Sequence, residues 1–166
     1  MAASALTVAF IGAGGAIVGA AIGSFGSQWV QHTRDRKALR AAFRAEISSL
    51  LKIAEARGLE SLFQDVVDHF DKTGQEKPVV LWGFSAVHAD PIFTANVGKI
   101  GLLGADVAED IGDFYTLMNA VRVDLVSVAA GQLAHLQPNA RIDVYRRSLK
   151  LWRDAKAVGK RLCDNL

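Results

Sequence analysis

From Met1 to Thr33 the chain carries no charged side chain, and its first charge is Arg34. Within that run the 26 residues Ala5 to Val30 read ALTVAFIGAGGAIVGAAIGSFGSQWV, all apolar, small or weakly polar. About 20 apolar residues at 1.5 Å rise cross a hydrocarbon core, so the run predicts a membrane-spanning helix with room for tilt. Trp29 falls near its end, at headgroup level, where an amphipathic ring is favoured. Arg34, Arg36, Lys37, Arg40 and Arg44 follow, opposed only by Asp35. Clustered Lys and Arg stay on the cytoplasmic side, which predicts an N-terminus outside and the rest of the chain cytosolic at the inner (cytoplasmic) membrane.

Three other readings of the run are weaker. A cleaved signal peptide fits the small residues around Gly19-Ala20-Ala21, but there is no basic n-region and the apolar part is too long. A core helix of a soluble protein would need more surrounding chain than 166 residues readily supply. Val8 to Gly15, VAFIGAGG, resembles the strand and glycine turn of a dinucleotide site. The third glycine of that fingerprint is Ile17 here, Asp35 has no apolar strand before it, and no second βαβ unit follows.

The glycines have a use in a membrane helix. Gly15, Gly19 and Gly23 repeat every four residues, with Gly12, Ala16 and Ala20 as a parallel row. Such rows share a helix face and allow backbones to approach closely, predicting a partner helix, either a second copy or part of a larger complex.

Past the anchor the apolar residues keep helical spacing. Leu39, Phe43, Ile47, Leu50 and Ala54 form one stripe, and Leu59, Leu62, Phe63, Val66 and Phe70 another after Gly58, which either kinks one helix or separates two. Residues 74–104 are loop-rich. Within them Asp90-Pro91 reads as a cap and first position of a short helix through Ile92, Asn96 and Ile100. Asp106 and Glu109 form a partial capping box for a stripe through Val107, Ile111, Phe114, Met118, Val121, Leu125 and Val128. A last helix from about Asn139 carries Ile142, Tyr145, Leu149, Trp152, Ala155 and Leu162. The expected fold is all-α: an anchor over 1–33 and a small antiparallel cytosolic bundle over 34–166.

Charge is divided along the chain. Residues 58–138 hold four Lys/Arg against eleven Asp/Glu, whereas residues 139–166 hold eight against three. Two outcomes are open: the basic C-terminal helix meets anionic lipid, or it pairs with the acidic middle. No reader motif accompanies the basic clusters, so nucleic acid is not an expected partner.

Chemistry-bearing residues are sparse. Cys163 is the single cysteine, which excludes an internal disulfide and a cysteine-based zinc site. Asp65 and His69 share a helix face at i,i+4, yet no second helix offers the Glu-x-x-His of a di-iron bundle. His32, His88 and His135 lie on other segments, and no nucleophile elbow, Walker loop or zincin helix is present. No catalytic, cofactor-binding or metal-ligating set is therefore expected.

The stretch Thr94 to Leu103, TANVGKIGLL, with Val107-Ala108-Glu109-Asp110-Ile111 and Phe114-Tyr115, resembles a pattern in small bacterial single-pass membrane proteins of uncharacterised role. That resemblance implies a membrane helix, a basic stop and a helical cytosolic domain, and carries no activity. The functional expectation is a non-enzymatic, membrane-anchored assembly or accessory subunit that docks on a partner complex. The alternatives are an oligomeric pore-forming effector and, third, a nucleotide- or metal-dependent enzyme.

Overall fold

Helical periodicity organises everything the computed structural model describes, which is residues 30–76 and 90–166. The predicted membrane helix with its glycine rows (Gly12, Gly15, Ala16, Gly19, Ala20, Gly23) and Trp29 lies outside the described residues, as do residues 77–89. Among the described residues there is no strand, and no helix is long and apolar enough to cross a membrane. The chain divides into two compact units, Met1–Leu39 and Arg40–Leu166. In the first, residues 30–39 are helical, with Arg34, Arg36 and Lys37 exposed.

The second unit begins with helical residues 40–56 (α1), and continues with α2 (Leu59–Thr73), α3 (Pro91–Asn96), a 3-10 turn (Val97–Leu103), α4 (Ala105–Ala129) and α5 (Pro138–Asn165). Gly58 stops α1 in the left-handed region at φ 62°, a conformation that glycine adopts without Cβ strain. It breaks the helix rather than kinking it, yet the direction of the chain is kept. Glu55 of α1 pairs with Lys156 of α5, Glu60 of α2 with Arg153, and Asp71 with Arg146. As numbers rise along α1 and α2 they fall along α5, so the two form one broken rod lying antiparallel to it. Asp110 with Arg161 and Asp124 with Ser148 set α4 antiparallel to α5 in the same way. The expected bundle of four faces is thus a three-rod bundle, with α5 the rod that the others share.

Its core follows the stripes. Phe43, Ile47, Phe63, Ile111, Phe114, Ile142, Trp152 and Leu162 are all at or below 1% exposure. On α1 the buried leucine is Leu51, which packs toward Gly159 of α5, with Leu50 half-buried. Gly159 lets α5 come close: a Cβ there would stand 2.7 Å from Phe114 Cε2 and 3.1 Å from Leu51 Cδ1.

The predicted caps differ. Gly104, not Asp106, occupies the N-cap of α4, so Asp106 is a first-turn residue that suits the helix dipole instead of capping. Asp90 is the N-cap of α3 and Pro91 its first residue, as expected, but the Asp90 side chain makes no cap hydrogen bond.

Candidate functional site

The first turn of α3 is capped from another helix. Glu46 projects from α1 beside the buried stripe and is itself only 7% exposed. Its carboxylate accepts the backbone N–H of Ile92 at 2.7 Å, the N–H of Phe93 at 3.1 Å, and the Tyr115 hydroxyl of α4. The two amides are free donors of a helix start, and a carboxylate placed there also meets the positive end of the peptide dipoles.

Aromatic rings close the other sides. Phe93 stacks on Tyr115 with centroids 4.1 Å apart, and Phe43 and Phe114 meet the Tyr115 ring edge-on. Burial, and next the bond to Glu46, push the Tyr115 hydroxyl far above the usual phenol range, so it remains a donor. Three donors thus converge on the Glu46 carboxylate, two from α3 and one from α4.

What it holds is a short segment facing water. From Pro91 to Leu103, Leu103 is buried, whereas Val97 and Leu102 are 53% and 36% exposed. Gly98 and Gly101 border open space. Asn96 Nδ2 donates to the Ile92 carbonyl at 2.8 Å and ties the turn to itself.

The sequence-level candidates are placed as follows. Of the eight cations of the C-terminal helix, seven sit in ion pairs, six of those with an acid outside α5. The hydrogen bond from Arg153 lowers the Glu60 carboxyl, and that from Arg161 lowers Asp110. Most cations of the C-terminal helix thus pair with acidic residues of the chain. Asp65 and His69 both stand on α2, and no cluster of three possible metal ligands occurs among the described residues. Cys163 is half-buried, and burial raises its thiol despite the nearby Arg44 and Lys52. Arg34, Arg36 and Lys37 are exposed and Arg40 is half-buried. His88 and Trp82 lie outside the described residues.

Glu46 and Tyr115 were not singled out as a pair in the sequence. Their one signal is a glutamate flanking an apolar stripe, and 69 residues separate it from its tyrosine. No known protein family, curated protein or solved structure matches the chain.

Proposed function

We propose that the protein is a non-enzymatic, membrane-anchored assembly or accessory subunit, with the Pro91–Leu103 segment as the surface that docks on a partner protein. The observation that carries this reading is the buried Glu46 carboxylate, engaged by three donors in order to seat a segment whose exposed residues are Val97 and Leu102. A buried charge is a poor source of net stability, because removing it from water costs several kcal/mol per ion. Its best-attested use is to fix one arrangement. Here the arrangement fixed is the display of two apolar side chains on a short turn, a geometry suited to a shallow apolar groove.

The anchor is the uncharged run over 5–30 followed by the basic cluster from Arg34, supporting an N-terminus outside and a cytosolic bundle. The glycine rows supply a packing face within the bilayer.

The test is purification of the full chain from membranes in mild detergent, with Val97→Asp/Leu102→Asp as the comparison. The expected result is a stoichiometric partner that the double variant loses while its helix content and unfolding midpoint stay unchanged. A homo-oligomer that conducts ions would favour the pore-forming alternative. A partner retained by the double variant, or a tightly bound nucleotide or metal, would overturn the proposal.

A further inference from the structure

Among the charges of the second unit that make no internal ion pair, Lys72 and Lys99 stand apart on α2 and the 3-10 turn, and others form two groups of three. Arg44 and Lys52 are exposed on α1, eight residues and so about 12 Å apart along the helix. Lys160 is exposed on α5, one turn beyond Lys156, whose ammonium bonds Glu55 of α1 at 3.1 Å. Gly159 packs toward Leu51, which places this part of α5 along the Arg44–Lys52 stretch of α1. None of Arg44, Lys52 and Lys160 has a carboxylate within ion-pair distance among the described residues. Asp164 is the nearby opposing charge, acting on Cys163 together with Arg44 and Lys52.

On α4 the arrangement is complementary. Asp106, Glu109 and Asp113 are exposed at i, i+3 and i+7, a row about 10.5 Å long opposite the buried Ile111, Phe114 and Tyr115. Asp110 beside them is held by Arg161, whose charge also reaches Asp113. No ion pair joins the two sets within the molecule among the described residues. The cations lie along the α1–α5 seam, and the acids on the outer face of α4.

We propose that the Arg44/Lys52/Lys160 seam of one copy receives the Asp106/Glu109/Asp113 row of a second copy of this chain. The two sets carry equal numbers of opposite charges over matching lengths, and each is the other's counterpart on a different face. Where each copy offers its two patches to two different neighbours the contact is head-to-tail and propagates into a ring or a row, whereas reciprocal pairing of both patches closes a two-fold dimer. Exposed ion pairs are individually weak, and the contact therefore needs high local concentration. Confinement in a membrane provides that, so the inference rests on the anchored reading above.

The experiment uses the full chain in phosphatidylcholine vesicles, as a mixture of isotopically heavy and light copies treated with a zero-length carbodiimide cross-linker. Heavy-to-light cross-links joining Lys52 or Lys160 to Asp106, Glu109 or Asp113 are expected at low salt, and their loss at high salt. A chain with Arg44→Glu/Lys52→Glu/Lys160→Glu mixed with wild type should lose the contact through its seam. Mixing it with a chain carrying Asp106→Lys/Glu109→Lys/Asp113→Lys should restore cross-links between the two reversed surfaces. Failure of that rescue, or cross-links confined to single copies, would overturn the proposal. Cross-links that appear only when an added acidic protein or RNA is present would assign the seam to that partner and equally overturn it. Vesicle flotation separates the two readings: a chain that floats without intermolecular cross-links retains the anchor and loses this contact. A chain that does not float, yet cross-links head-to-tail at high concentration, loses the anchor and retains the contact.

Discussion

Replacing Glu46 by alanine tests whether the carboxylate seats the Pro91–Leu103 segment. The substitution removes three hydrogen bonds to a charged acceptor, those from Ile92 N, Phe93 N and Tyr115 Oη. Bonds of this kind contribute roughly 1.5–3 kcal/mol each in isolation from other effects. Two terms reduce the sum. The alanine variant no longer buries a carboxylate, and water can reach the two partly buried amides once the side chain is gone. The Tyr115 hydroxyl, buried and without its acceptor, keeps the full penalty of about 1–3 kcal/mol. A net loss of about 3 kcal/mol follows, or a fall of roughly 10 °C in midpoint for a unit of this size. Tyr115→Phe removes one donor and leaves the amides in place, so its cost is about 1–2 kcal/mol. The double variant should lose less than the sum of the two, since both single changes break the same bond.

Far-UV circular dichroism of the full chain in mild detergent gives the midpoints, and hydrogen exchange shows where protection is lost. The amides of Ile92–Leu103 should exchange at much lower protection in the alanine variant, with α5 following only at global unfolding. A variant within about 0.5 kcal/mol of wild type, or one that loses stability without faster exchange in that segment, would refute the argument.

Three further outcomes follow from the geometry. Gly159→Ala places a Cβ 2.7 Å from the buried Phe114 ring, and the resulting overpacking of about 1–3 kcal/mol exceeds the gain of up to ~1 kcal/mol in helix propensity; an unchanged or raised midpoint would show that the ring has room. Tyr115 and Tyr145 are both raised above the ordinary 10.0, chiefly by burial, so their contribution is complete below pH 10 and is withdrawn as pH climbs toward the folded values; absorbance at alkaline pH should show no phenolate until the helical signal falls. Glu60 and Asp110 are lowered by the hydrogen bonds from Arg153 and Arg161, so their contribution is present above the unfolded carboxyl values near 4 and is lost as pH falls through the folded ones; Arg153→Gln/Arg161→Gln should flatten the acid limb of the stability profile, and an unaltered limb would count against the pairs.

The stripes were legible because burial on a helix repeats locally. Phe43 and Ile47, Phe63 and Val66, Ile111 and Phe114, Trp152 and Ala155 were all picked by spacing and all are buried. What spacing could not give is which stripe meets which. The collinear α1 and α2 follow from Gly58 taking a positive φ while both helices keep α5 as their neighbour, a tertiary choice that no local pattern encodes. Asp90 looked like the cap of α3 because cap preferences are local statistics. The side chain that bonds its first-turn amides comes from 44 positions upstream of Asp90, brought there by the packing of α1. Glu46 was illegible for the same reason, as one of 17 acidic residues with no local feature to mark it.

The ion pairs explain more about orientation than about stability. Exposed pairs contribute about 0–1 kcal/mol each, and salt screens them, so the row along α5 is a weak source of folding energy. Its placement is nonetheless specific. Arg146, Arg153 and Lys156 point to Asp71, Glu60 and Glu55 on the broken rod, while Arg147 and Arg161 point to Asp124 and Asp110 on α4. In the core the close approach of Gly159 to Phe114 and Leu51 suits one direction of α5, and the ion pairs agree with it. The acids of the middle segment and the cations of the last helix therefore act as an orientation code, one that uses up most of the charge the sequence divides so sharply. Among the charges the code leaves without an ion pair are Arg44, Lys52 and Lys160 on one face and Asp106, Glu109 and Asp113 on another. Those six residues are the charge on which the proposed contact between copies draws.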